Sequence, residues 1–220
     1  MNLPSADFPL FGHSVSRADM INIDLTRNNP FLESVNLDNR HDFELFINNF
    51  ILQKNVKAAI GGYLEDRVIY RRSSHFTGTD ALRSIHLGID IWLPENTEVY
   101  APLPGIIHSY GINDNYADYG GTLILQHLHE NVNFWTLYGH ISHDSLDGKM
   151  VGDRIAAGDL IARLGSWDEN GNWPPHLHFQ AILDMMNYAG DFPGVCALND
   201  KDAFSQICPD PSPLIFSGVS

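Results

Sequence analysis

Three short stretches of the chain put histidines and a carboxylate where a metal ion or a proton could be handled. In His86-Leu87-Gly88-Ile89-Asp90 the two-residue period of a strand places His86 and Asp90 on one face, with Leu87 and Ile89 on the other. In His176-Leu177-His178-Phe179 the same period brings both imidazoles to one face and turns Leu177 and Phe179 into the core. Tyr138-Gly139-His140 closes the apolar run Phe134-Trp135-Thr136-Leu137, so the side chain of His140 would emerge at a strand end. Two imidazoles and a carboxylate fill three positions of a tetrahedral zinc site, and the fourth stays open to water or a substrate oxygen, which separates a catalytic from a structural site. Zinc makes its water acidic enough to supply hydroxide near neutral pH and polarises a carbonyl oxygen, equipment suited to peptide hydrolysis. A helix-borne His-Glu-x-x-His pair is absent from the chain.

Each stretch is weak alone. An ion pair between His86 and Asp90 across one strand face would be ordinary, and a lone histidine is usually a hydrogen-bonded or exposed side chain. That plain reading is given to His13, His41, His75, His108, His127, His129 and His143.

The elements that must position these residues are mostly strands. After about Gly62 the chain runs in short segments rich in β-branched and aromatic residues, separated by Gly, Pro, Asn and Asp. The candidates are 87–93, 98–101, 105–110, 122–127, 133–140, 154–156, 160–164 and 176–183, a spacing that argues for an antiparallel all-β core. Loops 112–120 and 166–175 are long enough to wall a cleft. Before this core, Phe43, Phe46, Ile47, Phe50 and Ile51 recur at helical spacing; the pattern predicts a helix over 38–60, capped by Asp38 or Asn39 and ended by Gly61-Gly62. Residues 1–37, with Pro4, Pro9 and Pro30, read as an extended arm without regular structure that must bury Phe8, Leu10, Phe11, Phe31 and Leu32. Arm and helix are expected either to border the histidine groove or to pack remote from it. The expected division is an arm and helix at 1–62, a catalytic domain at 63–185 and a C-terminal extension at 186–220.

A length of 220 residues suits one well-buried core with an elaboration. An apolar share of 44% with 18% charged residues is that of an ordinary globular chain. The formal charge of -14 would repel a phosphate backbone, and the nearest basic cluster is Arg67, Arg71 and Arg72, so nucleic acid is not an expected partner. No run approaches the roughly 20 apolar residues of a membrane helix. The first residues lack the basic start and apolar run of a secretory signal; the chain as written reads as cytoplasmic, or as periplasmic or secreted if a leader has been removed. Cys196 and Cys208 lie far from the histidines and read as free thiols, with a disulfide as the alternative.

Taken in order, five pieces resemble the lysostaphin/LytM-type zinc metallopeptidases, which cut peptide bonds in bacterial peptidoglycan. They are His86-Leu87-Gly88-Ile89-Asp90; Thr97-Glu98-Val99-Tyr100-Ala101-Pro102 with Gly105; Tyr138-Gly139-His140-Ile141-Ser142; Val151-Gly152 with Ala157-Gly158; and Pro175-His176-Leu177-His178-Phe179. The resemblance implies a mainly β fold, a compact antiparallel sheet or sandwich with the metal in an open groove. It implies that His86, Asp90 and His178 hold Zn2+, and that His140 and His176 stand beside it as catalytic groups, orienting or deprotonating water and stabilising the oxyanion. The implied partner is a peptide or peptidoglycan substrate. The flanks Gly62-Tyr63-Leu64-Glu65-Asp66-Arg67, Gly190-Asp191-Phe192-Pro193-Gly194-Val195 and Cys208-Pro209-Asp210-Pro211 depart from the secreted wall hydrolases. They resemble a branch found in multidomain proteins beside a kinase-like phosphotransferase and an aminotransferase, which leaves the substrate open. Three readings follow: a zinc endopeptidase, a non-catalytic LytM-like module that regulates another hydrolase, and a zinc amidase acting on a soluble intracellular substrate.

Overall fold

The computed structural model describes residues 2–37, 39–72 and 82–217. Its strands, in chain order, are β1 (Met20–Ile23), β2 (Ala58–Gly61), β3 (Arg83–His86), β4 (Ile89–Trp92), β5 (Glu98–Tyr100), β6 (Gly105–Asn113), β7 (Gly120–His129), β8 (Val132–Ile141), β9 (Arg154–Ile155), β10 (Leu160–Arg163), β11 (His176–Ile182) and β12 (Val195–Ala197). The main sheet has the order β1-β2-β4-β11-β8-β7-β6-β9, and the pairs β5 with β10 and β3 with β12 form two small sheets. All pairings are antiparallel except β1 with β2. The fold is thus mainly β around a large antiparallel sheet. Among the described residues no helix is long and apolar enough to cross a membrane.

Alternation along the central strands divides the molecule. From β4 and β11, Ile89, Ile91, Leu177 and Phe179 enter one core, which also takes Val99 of β5, Ile161 and Ala162 of β10, and Leu10, Phe11, Leu214 and Ile215 from the two ends of the described chain. Asp90, Trp92, His176, His178 and Gln180 point to the opposite face, as a strand's two-residue period requires. A second cluster there joins Trp92 to Phe43, Ile47, Leu32, Tyr70 and Trp173.

Several expectations change. The strand expected over 87–93 is broken at Leu87-Gly88: β3 pairs with β12, while β4 joins the main sheet. Leu87 therefore enters a third cluster with Ile85 and Phe192 rather than the core that holds Ile89. The helix, α1 (Arg40–Lys54), starts after Asn39, whose side chain accepts from the backbone N–H of His41 and Asp42. It stops six residues earlier than Ile60, because Asn55 adopts the left-handed conformation (φ 52°) that Asn tolerates at a helix end. Ala58 to Gly61 then become β2, with Ala58, Ala59 and Gly61 buried. The arm is not devoid of regular structure, since Met20–Ile23 form β1 at the sheet's edge. Phe31 is 71% exposed, against the expectation that it is buried. Both cysteines are free and buried, and burial pushes the thiols of Cys196 and Cys208 up to about 11 and about 12.

The expected cleft loops are locked to each other. Ala117 N–H donates to Gly171 O (2.9 Å) and Gly121 N–H to Glu169 O (3.3 Å). A Cβ at Gly171, where φ is +76°, would lie 1.9 Å from the carbonyl oxygen of Asp118. Gly171→Ala would add the left-handed penalty of about 1 kcal/mol to a forced loop displacement. It is expected to lower stability by at least about 2 kcal/mol in urea denaturation; a loss below about 0.5 kcal/mol would mean that the loops yield freely.

Candidate metal centre

Four residues stand side by side across the main sheet: Gly61 of β2 opposite Asp90 of β4, Asp90 opposite His178 of β11, and His178 opposite Gly139 of β8. The glycines at both ends of this row leave room above the sheet for side chains from elsewhere. A Cβ at Gly61 would meet Arg67 Nη2 at 2.5 Å, and one at Gly139 would meet the Tyr119 ring at 2.6 Å. His86 enters from the end of β3, beyond the break in the chain, so it faces Asp90 across a gap between two sheets and not along one strand face.

His86 Nε2, Asp90 Oδ1 and His178 Nδ1 converge. The separations are 3.0 Å from His86 Nε2 to His178 Nδ1, 3.0 Å from His178 Nδ1 to Asp90 Oδ1, and 3.2 Å from His86 Nε2 to Asp90 Oδ1. A tetrahedron with zinc bonds of about 2.0–2.1 Å has edges of roughly 3.3 Å, so this donor set fits one ion. Tautomers inferred from the surrounding bonds strengthen the fit. His86 Nδ1 donates to Gly62 O (3.1 Å), which leaves Nε2 as a lone pair. Gln180 Nε2 donates to Pro193 O (3.2 Å) and Cys208 Sγ (3.3 Å), which turns its Oε1 to accept from His178 Nε2 (2.9 Å) and leaves Nδ1 bare. With these tautomers the two rings and the carboxylate aim three lone pairs at one point, an arrangement that could hold a cation.

His140 and His176 are held beside this set, their ring centroids 4.2 Å apart. His140 Nδ1 donates to Asn170 O (2.9 Å) and His176 Nδ1 to Pro174 O (2.7 Å), so each keeps Nε2 free as an acceptor. Asn170, fully buried, bonds with both ends of its amide to the backbone of Trp173 and so stiffens the loop that orients His140. His176 Nε2 lies 3.8 Å from Asp90 Oδ2, and its ring stacks on Trp92 (5.4 Å, 19°). His140 sits at φ 62°, in the left-handed region, where the strand bends toward the loop and its N–H donates to Tyr119 O.

The local field keeps His86, His140 and His176 neutral. Burial, then the Arg67 cation, push His86 down to about 3. Burial and the neighbouring His176 hold His140 well below its ordinary value, and burial lowers His176 also. For Asp90, burial works to raise the carboxyl, but His86 and Arg67 outweigh it and hold the group well below the carboxylate range. Metal ligation needs these same protonation states.

Five sequence-derived residues thus meet at one place, with His86, Asp90, His140, His176 and His178 each 5% exposed or less. His127, expected to be an ordinary histidine, is buried between Pro104 O (2.8 Å) and Thr136 Oγ1 (2.7 Å), and burial lowers it to about 4. His75 lies outside the described residues. Arg67, noted in the sequence only as part of the nearest basic cluster, is 1% exposed and donates through Nη1 to Asp90 Oδ2. Tyr119 also escaped notice; its hydroxyl lies 3.4 Å from His178 Nε2, and burial keeps it protonated by raising it well above its ordinary value. The only signals for these two were Gly61 and Gly139, which spacing alone does not connect to them. The centre opens into a pocket whose empty volume, counting its mouth, is about 840 Å³, walled by Phe43 of α1, Trp92, Ala117, Trp173 and Tyr188 to Val195 in part. Helix α1 therefore borders the site, whereas Leu10 and Phe11 of the arm lie on the far face of the sheet.

Residues 84–188 match the sequence model of peptidase family M23. Among solved structures, the chain is similar to the catalytic domain of the antimicrobial peptidase lysostaphin from Staphylococcus simulans (24% identity, 60% of this chain and 80% of that one, TM-score 0.41). It is also similar to the catalytic domain of the prophage-encoded M23 protein EnpA from Enterococcus faecalis (21%, 53% and 94%, 0.39). A zinc-containing peptidase from Vibrio cholerae matches at 26% identity over 44% of this chain and 27% of that one, with a TM-score of 0.35. The assignment rests on the family match and on the five motif residues meeting at one site: residues 84–188 are a peptidase family M23 domain of the lysostaphin/LytM type.

Proposed function

We propose that the protein is a zinc-dependent peptidase that hydrolyses peptide bonds in peptidoglycan or related peptides. The observation that carries this reading is the meeting of His86 Nε2, Asp90 Oδ1 and His178 Nδ1, three lone pairs within 3.2 Å of one another, beside two neutral imidazoles that face the same pocket. Zinc held by these three atoms would polarise the scissile carbonyl and make a water nucleophilic. The chain's own part is proton handling and orientation. His140 and His176, each braced through Nδ1–H on a backbone carbonyl, offer Nε2 to take the proton of the attacking water and return it to the leaving amine. Whichever of the two carries the proton becomes a cation able to bond the oxyanion, and the burial of both rings strengthens such a bond. A module that only binds a partner has no need of two imidazoles poised in this way.

Metal analysis of the purified protein is expected to find one zinc per chain, and digestion of peptidoglycan or short Gly-rich peptides to be lost with a chelator and restored by zinc. His178→Ala is expected to lose stoichiometric zinc while remaining folded by circular dichroism; full zinc in that variant would sink the ligand assignment.

His140→Ala and His176→Ala are expected to keep zinc and to slow hydrolysis by roughly two or more orders of magnitude. Loss of zinc from either would show that the division between metal holders and proton handlers is drawn in the wrong place.

A further inference from the structure

Arg67 lies outside the segment that matches the family, yet it reaches the centre of the site. Its backbone N–H donates to Ser84 O (2.9 Å), beside β3. Its Nε donates to Glu65 Oε2 (2.8 Å), and Glu65 Oε1 in turn accepts from the backbone N–H of Leu25 (3.1 Å). Nη1 reaches both Asp90 Oδ2 and the Tyr70 hydroxyl (3.3 Å). The guanidinium occupies the space that any side chain at position 61 would fill, so Gly61 and Arg67 are matched to each other.

The two oxygens of Asp90 are thereby given different tasks. Oδ1 stands 3.0 Å and 3.2 Å from the converging nitrogens of His178 and His86, while Oδ2 is taken by a cation that never deprotonates in proteins. A carboxylate with both oxygens free can chelate an ion through both, or swing away from it. We propose that Arg67 is a positioning residue for the metal: it engages Oδ2 so that Asp90 offers Oδ1 alone. The segment of residues 61–70, which precedes the matched domain, then completes the metal site. This inference rests on the zinc reading above, and the test separates the two.

The full-length protein is stripped of metal and loaded with cobalt(II), whose visible absorption reports coordination number, and zinc affinity is measured by competition with a chelator. Failure of the unaltered protein to take up cobalt or zinc would count against the zinc reading itself. Given uptake, Arg67→Met is expected to weaken zinc binding about 10- to 100-fold, the usual scale for losing an outer partner of a ligand. Its cobalt spectrum is expected to shift toward the weaker absorption of a higher coordination number. Because Arg67→Met leaves the Glu65 carboxylate without its cation, the double variant Arg67→Gln with Glu65→Gln is measured alongside it, and the same two changes are expected. A folded variant with the spectrum and affinity of the unaltered protein would overturn the proposal. Loss of the fold in both variants would overturn it too, since the guanidinium would then be a structural group.

Discussion

A carboxylate that is 3% exposed, Asp90, is the charge around which the rest of this molecule is organised. An ionised carboxylate taken out of water costs several kcal/mol unless it is paired and hydrogen-bonded. Its partners come from three separate parts of the chain: Arg67 from the stretch before β3, His86 from the end of β3 and His178 from β11. Each needs its own support. The pairing of β3 with β12 holds His86, and the break at Gly88 lets the chain leave that small sheet and enter the main one as β4. A Cβ at Gly88 would stand 2.8 Å from His178 Nε2, so the break also leaves room for that ring.

The same strands supply both the packing and the chemistry. On β11, Leu177 and Phe179 are buried in the main core while His176, His178 and Gln180 face the site, so moving the imidazoles would mean moving the core residues between them. The loops add a second restraint, because the carbonyls of Asn170 and Pro174 fix the ring planes of His140 and His176. Burial keeps both rings neutral although their carbonyl acceptors favour the charged form, and a neutral ring is what a base must be.

What the sequence makes legible follows from what is local. The period of two in His176-Leu177-His178-Phe179 separates the core-facing from the pocket-facing side chains because β11 is a regular, doubly paired strand. The strand boundaries fall within a few residues of those expected, since Gly, Pro and Asn mark them. The same periodic argument fails for His86 and Asp90. The two do face each other, but across a strand break that alternation cannot reveal, and with Leu87 and Ile89 in different cores. The end of α1 was missed because Asn55 does the work that Gly61-Gly62 were expected to do. Arg67 was invisible for a different reason: a buried arginine and an exposed one look alike in sequence, and its partners lie 2, 3 and 23 positions away in directions that only the folded chain defines.

The left-handed backbone at His140 sets folding against chemistry. For an L-residue with a side chain this conformation costs roughly 1–2 kcal/mol relative to a helical or extended one, and glycine would escape that cost. Glycine, however, carries no imidazole. Stability alone would therefore favour the smallest residue at position 140, whereas an imidazole facing the pocket can be had there only with the strain. His140→Gly would therefore relieve the backbone while removing the ring from the pocket, a trade not open at Leu177 or Phe179, where packing makes its own demand.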